Sequence, residues 1–132
     1  MDLVHEMKPE LILAGNSVFT LLNEKTGNRF TYKVNLADNG KVYFVSVLTN
    51  PNQFSYMGVI DFETKGFKFT AKSKVKHPAF SARAWLWFFT HRNKLPETVK
   101  IFHAGNCARC GRTLTTPESI QKGIGPECSK KI

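Results

Sequence analysis

All three cysteines of this 132-residue chain sit near its C-terminus, at Cys107, Cys110 and Cys128. The count is odd, and the N-terminus has no basic stretch followed by a long apolar one. Both points argue against a disulfide framework and a secretory leader. Cys107-Ala-Arg-Cys110-Gly111 has the form of a zinc knuckle. Two thiolates on one tight turn can face a single ion, and the glycine lets the chain turn with backbone N–H groups aimed at the sulfurs. A Cys-x-x-Cys pair alone could equally be a redox dithiol. The third cysteine, 18 positions beyond Cys110, shifts the reading to metal.

A closed structural zinc site takes four ligands. Of the four histidines, His103 stands closest to the knuckle, joined to Cys107 by the small, turn-prone Ala-Gly-Asn. The expected set is His103, Cys107, Cys110 and Cys128, holding one structural zinc. The alternative is three thiolates with an open fourth position, as in a catalytic site. Between the ligands, Thr115-x-x-Glu118 is a capping-box pattern, and Pro117 suits an early helical position. This predicts a short helix over Pro117–Lys122 that stops at Gly123, and Pro126 then opens a second one carrying Cys128 in its first turn. A knuckle with a helix-borne ligand is a treble-clef-like layout.

The run from Cys107 to Cys128, with Gly111-Arg112, Pro117-Glu118-Ser119-Ile120 and Gly123-Ile124-Gly125-Pro126, resembles the C-terminal motif of an uncharacterised family of bacteriophage and bacterial proteins. Thr26–Tyr32 and Val45–Thr49 are similar to the β-rich part that precedes it, so the resemblance covers the chain from about residue 15. It implies zinc at the knuckle and a phage-type origin, and no agreed activity.

The net charge of +9 is unevenly spread: net −1 over residues 1–40, +3 over 41–75 and +7 over 76–132. Such a field draws nucleic acid or an acidic protein surface. The expected partner is nucleic acid, met by Arg109 and Arg112 on the knuckle, Lys122, Lys130 and Lys131 beyond it, and Lys68, Lys72 and Lys74 upstream. The alternative is a protein-interaction module that inhibits or redirects a host protein, its basic face meeting an acidic groove. No phosphate-binding loop, nucleophile elbow, His-Glu-x-x-His helix or deaminase pattern is present. The ten carboxylates are scattered, so neither an enzyme nor a small-molecule substrate is expected. The longest apolar run, Ala84–Phe89, has six residues, so no membrane span is expected and the expected location is the cytoplasm, that of the host if the chain is phage-encoded.

The elements that must position these residues follow from periodicity. Phe30, Tyr32 and Val34 alternate with Arg29, Thr31 and Lys33, as in a half-buried strand. Val42–Leu48 is apolar on both faces, as a central strand would be. A long strand is expected over Phe54–Phe62 and another over Phe67–Lys72, with turn chemistry between. His77–Asn93 reads as a helix, of which about 79–93 forms the core, apolar around nearly the whole wheel and so buried on more than one side. It is expected to pack across the sheet and under the zinc module. Thr98–Phe102 could be a strand leading into the knuckle, and most of the eleven Phe are expected in the core. The fold class is thus α+β: an antiparallel β-meander of about five strands, one long packed helix and a C-terminal treble-clef-like zinc module. The expected organisation is one domain over 1–132, with an N-terminal arm (1–14), a β-rich body (15–102) and the zinc module (103–132).

Overall fold

Period-2 alternation between turn signals produces the expected meander. The computed structural model describes residues 5–103, 106–113 and 123–125. Five consecutive strands, β2 (Asn16–Asn23), β3 (Arg29–Leu36), β4 (Val42–Asn50), β5 (Gln53–Asp61) and β6 (Phe67–Lys68), pair antiparallel in sequence order. Two further strands extend the sheet beyond β2. They are β7 (Val99–His103), which pairs antiparallel with β2, and β1 (His5–Glu6), which pairs antiparallel with β7. Helix α1 spans Phe80–Thr90. The described part is therefore an antiparallel sheet with one helix.

β6 is shorter than expected because the chain leaves the ladder after Lys68. The N–H of Thr70 donates to Ser73 Oγ at 2.9 Å, and the Ser73 hydroxyl donates to the Met57 carbonyl at 2.6 Å. The N–H of Lys74 then reaches the Tyr56 carbonyl at 2.8 Å. Side-chain and irregular bonds thus replace strand pairing along β5.

One face of the sheet carries the core. Phe19 and Leu21 of β2, Tyr32 and Val34 of β3, Tyr43, Val45 and Val47 of β4 and Ile101 of β7 point to it and are buried. α1 lies against them. Trp85, fully buried, stacks on Phe89 at 5.1 Å between centroids and meets Tyr32 at 5.4 Å and Phe67 at 5.6 Å. The Tyr32 hydroxyl donates to the Ser81 carbonyl at 2.8 Å, fixing the start of α1 to the sheet. Three buried rings and the half-buried Phe67, in stacked, tilted and edge-on pairs, give this contact both area and orientation.

α1 is buried on one side only, through Ala82, Trp85, Phe88 and Phe89. Phe80 is 76% exposed and Trp87 41% exposed. The nearly all-apolar wheel therefore overstated the burial: the sheet covers one stripe, and no second described layer covers the other. The helix also ends earlier than expected. Thr90 Oγ1 donates to the Leu86 carbonyl at 2.7 Å and the Arg92 guanidinium to the Phe89 carbonyl at 2.6 Å, while His91 Nδ1 lies 2.8 Å from the Trp87 carbonyl. The His91 N–H still reaches the Trp87 and Phe88 carbonyls, and the Arg92 side chain takes the Phe89 carbonyl that a helix continuing to Asn93 would have bonded. Of the eleven Phe, Phe19, Phe88 and Phe89 are buried and Phe30, Phe67 and Phe69 pack partly buried against the same core, while Phe44 stands on the sheet face that no described layer covers.

The segment expected as an arm is anchored in its described part. Met7 and Ile12 belong to the core, and a 3-10 turn over Pro9–Leu13 runs along the sheet end. The Tyr43 hydroxyl donates to the Leu13 carbonyl at 3.0 Å and Ser17 Oγ to the Ile12 carbonyl at 2.9 Å.

Candidate functional site

The knuckle is a closed loop stitched onto the start of β2. Asn106 and Thr113 form an antiparallel bridge, and between them the Cys107 N–H donates to the Arg112 carbonyl at 2.8 Å. The Gly111 N–H returns to the Cys107 carbonyl at 2.9 Å. Gly111 has φ +80°, which is the left-handed conformation that the residue after the second cysteine requires. The Asn16 N–H donates to the Ala108 carbonyl at 2.8 Å, so the loop is tied to the sheet by main chain.

Residues 123–125 close the other side. The Ala108 N–H donates to the Gly123 carbonyl at 2.9 Å and the Gly125 N–H to Cys107 Sγ at 3.3 Å. Gly123, at φ +78°, is closely packed: a Cβ there would lie 3.1 Å from His103 Cδ2. The same three residues thus touch both His103, buried at the end of β7, and Cys107. Cys107 and Ile124 form a small apolar cluster of their own, backed by Leu11 and Ala14. It is the 3-10 turn, rather than α1, that lies against this cluster.

The Cys107 thiol is pulled two ways. Burial raises its pKa, while the N–H groups of Gly125, Cys110 and Arg109 and the neighbouring Cys110 thiol lower it by more, leaving it at about 7. Donors aimed at a sulfur favour the thiolate, which is the form a metal binds. Cys110 is exposed beside it. The donor set therefore fits zinc at Cys107 and Cys110. Among the described residues no group of three or more His, Cys, Asp or Glu gathers to hold a metal. Cys128, the two short helices expected around it, and Lys122, Lys130 and Lys131 lie outside the described residues.

The remaining candidates fall into two groups. Arg109 is half-buried, its carbonyl 3.3 Å from the place a Cβ on Gly15 would occupy, and Arg112 is exposed. Lys68, Lys72 and Lys74 are exposed at the β6 edge. The register connects Lys68 to Asn16, which adjoins the knuckle. Asn16 pairs with Asn35, Asn35 with Phe44, Phe44 with Val59 and Val59 with Lys68. Directly opposed residues share a face, so this row crosses the side of the sheet away from α1. At one end, Asn16 Nδ2 lies 2.8 Å from where a Cβ on Gly111 would be, so the row begins at the knuckle. At the other it ends on Lys68.

This uncovered face is what sequence reasoning missed. None of Lys33, Asn35, Phe44 and Tyr56 belongs to the core clusters, and Phe44 is 40% exposed in the middle of the sheet. The signal was the polar half of the β3 alternation, Arg29, Thr31 and Lys33. It was hidden by β4, whose two apolar faces suggest burial on both.

Residues 102–132 match the model of a family of unknown function, DUF6011. The match covers the knuckle segment and agrees with its resemblance to an uncharacterised family; the β-rich part lies outside it. No curated protein and no solved structure matches the chain. No described helix is long and apolar enough to cross a membrane.

Proposed function

We propose that this is a small, phage-type accessory protein that binds nucleic acid and carries one structural zinc at its C-terminal knuckle. The observation that carries the reading is the attachment of the knuckle to Asn16. In a chain of net charge +9, it sets a loop bearing Arg109 and Arg112 at the border of an uncovered sheet face. Guanidiniums on a turn held at both ends are suited to bidentate phosphate contact. The metal, held by Cys107 and Cys110 with His103 and Cys128 as the further ligands, would hold that turn in shape. Fluorescence anisotropy with labelled DNA and RNA at several salt concentrations tests the function. With about five phosphates neutralised on a single strand, log affinity should fall against log salt with a slope near −3.5. Absence of binding even at low salt would overturn the reading.

A second reading has its own observation. Phe80, Arg83 and Trp87 line an exposed groove of about 340 Å³ between α1 and the β2–β3 hairpin. Trp and Arg are the residue types that dominate protein-interface energetics. If nucleic acid does not bind, this groove supports a protein-interaction module directed at a host protein.

A further inference from the structure

We propose that the uncovered face of the sheet is a platform for single-stranded nucleic acid, with Phe44 as its stacking residue and Lys33 and Lys68 as phosphate contacts. The proposal rests on the nucleic-acid reading above and assigns it a site different from the knuckle alone.

Three observations carry it. First, Phe44 is a large apolar side chain 40% exposed at the centre of an antiparallel sheet, flanked by the Tyr56 ring at 6.2 Å between centroids, and neither belongs to a core cluster. Phe44 packs edge-on against Tyr56 and leaves part of its ring open. Its π-face can take any base. Second, cations stand beside Phe44. Lys33 pairs with Ser46, which puts it diagonally beside Phe44, and Arg29 lies on the same face four residues up β3. Lys68 ends the Phe44 row, and Lys100 of β7 lies on this face, paired with Glu24 at 3.5 Å. Of the acids there, Asp61 has its carboxylate engaged by the N–H groups of Glu63 at 2.9 Å and Thr64 at 2.8 Å, and Glu6 lies at the far β1 edge. Third, the row has direction. It starts at the knuckle, passes the side-chain amides of Asn16 and Asn35, crosses Phe44 and ends at Lys68. Four strand spacings make it about 19 Å long, a length suited to the two or three bases that an open sheet stacks.

Recognition by stacking selects against duplex, whose bases are already stacked and whose faces are hidden. A single strand can lay bases on Phe44 and Tyr56 and place phosphates near Lys33, Lys68 and, at the knuckle end, Arg112.

The test uses the full-length, zinc-loaded protein and anisotropy with short labelled single-stranded DNA, single-stranded RNA and duplex DNA. Single strands should bind more tightly than duplex, the DNA and RNA arms showing which the face prefers. Phe44→Ala should weaken single-strand binding about tenfold or more, while Phe44→Tyr retains it. Phe44→Trp should give tryptophan emission that is quenched on binding. Phe80→Ala, which removes an aromatic 76% exposed on the opposite side of the molecule, should bind as the parent protein does. Unchanged binding by Phe44→Ala, with loss on replacing Arg109 and Arg112, would overturn the platform and leave the nucleic-acid reading standing. Preference for duplex would overturn it as well. No binding by the parent protein at low salt would overturn both.

Discussion

The main-chain N–H of Asn16 donates to the carbonyl of Ala108, 92 positions further along, at 2.8 Å. This single bond joins the first long strand to the knuckle, so the loop is placed by the sheet before any metal is considered. The Asn16 side chain also sits where a Cβ on Gly111 would go, at 2.8 Å from its Nδ2. Gly111→Ala therefore meets two obstacles. The amide is the end of a flexible side chain and can swing aside, so the positive φ of +80° is the dominant cost, about 1–2 kcal/mol for a residue with a Cβ. The substitution should loosen the knuckle locally: amides of 106–113 should exchange faster with solvent while those of β3 and β4 keep their protection. Equal exchange in both proteins would show that the turn relaxes into another form.

Zinc removal should act on the same region. Leu114, Ile120, Ile124 and Ile132 are the few large apolar residues of the 103–132 segment, too few to offset ordering costs of about 1–2 kcal/mol per residue. Elemental analysis should find one zinc per chain. Stripping it with a chelator should expose this segment to protease and leave the strands intact, with Cys107→Ser reproducing the effect. Complete protection after metal removal would contradict a structural role.

The two tryptophans report on α1 separately. Trp85 is fully buried and Trp87 is 41% exposed, two residues away on the same helix. Trp87→Phe should remove the red-shifted emission that acrylamide quenches easily and leave the blue-shifted, protected emission of Trp85. Stability should change by no more than about 0.5 kcal/mol, as for other surface positions. Strong quenching of the remaining tryptophan would mean that the helix does not pack on the sheet in this way.

Alkaline pH should destabilise the fold through Tyr32. Burial raises the pKa of its phenol well above the ordinary value, which is near 10. The folded state therefore keeps a proton that the unfolded chain gives up. The stabilisation is fully present below about pH 10 and declines as pH rises further, at up to about 1.4 kcal/mol per pH unit for this one group. Tyr32→Phe loses the hydrogen bond to the Ser81 carbonyl, and it should also flatten this decline. Urea unfolding of both proteins across the alkaline range measures the difference in slope.

The meander was legible because β3 alternates in sequence, because β4 and β5 are rich in apolar and aromatic residues, and because the turns carry glycine, asparagine or aspartate at the required places. The strand leading into the knuckle was legible as a strand. Its place between β1 and β2 was not, since nothing in Val99–His103 names its neighbour. The tight turn from Cys107 to Gly111 was legible from the Cys-x-x-Cys-Gly spacing, because such a turn calls for a residue free to take a positive φ. Phe44, Phe80 and Trp87 were misread for one reason: an apolar residue in a strand or helix implies burial only where a second layer exists, and layer number is a tertiary property. Lys68 and the knuckle arginines were both legible as cations. Only the strand register shows Lys68 at the end of a row that begins beside the knuckle.

The insertion of β7 beside β2 imposes an order of assembly. During synthesis the five meander strands and α1 all emerge before Val99, and until then β2 stands as an open edge with its outer N–H and C=O groups unpaired. Such an edge is a template for pairing with another chain. The nascent protein thus passes through a stage in which its own late strand competes with neighbouring copies for the same ladder. A chain interrupted before Val99 would retain that edge, and should assemble into aggregates at concentrations where the complete chain stays dispersed.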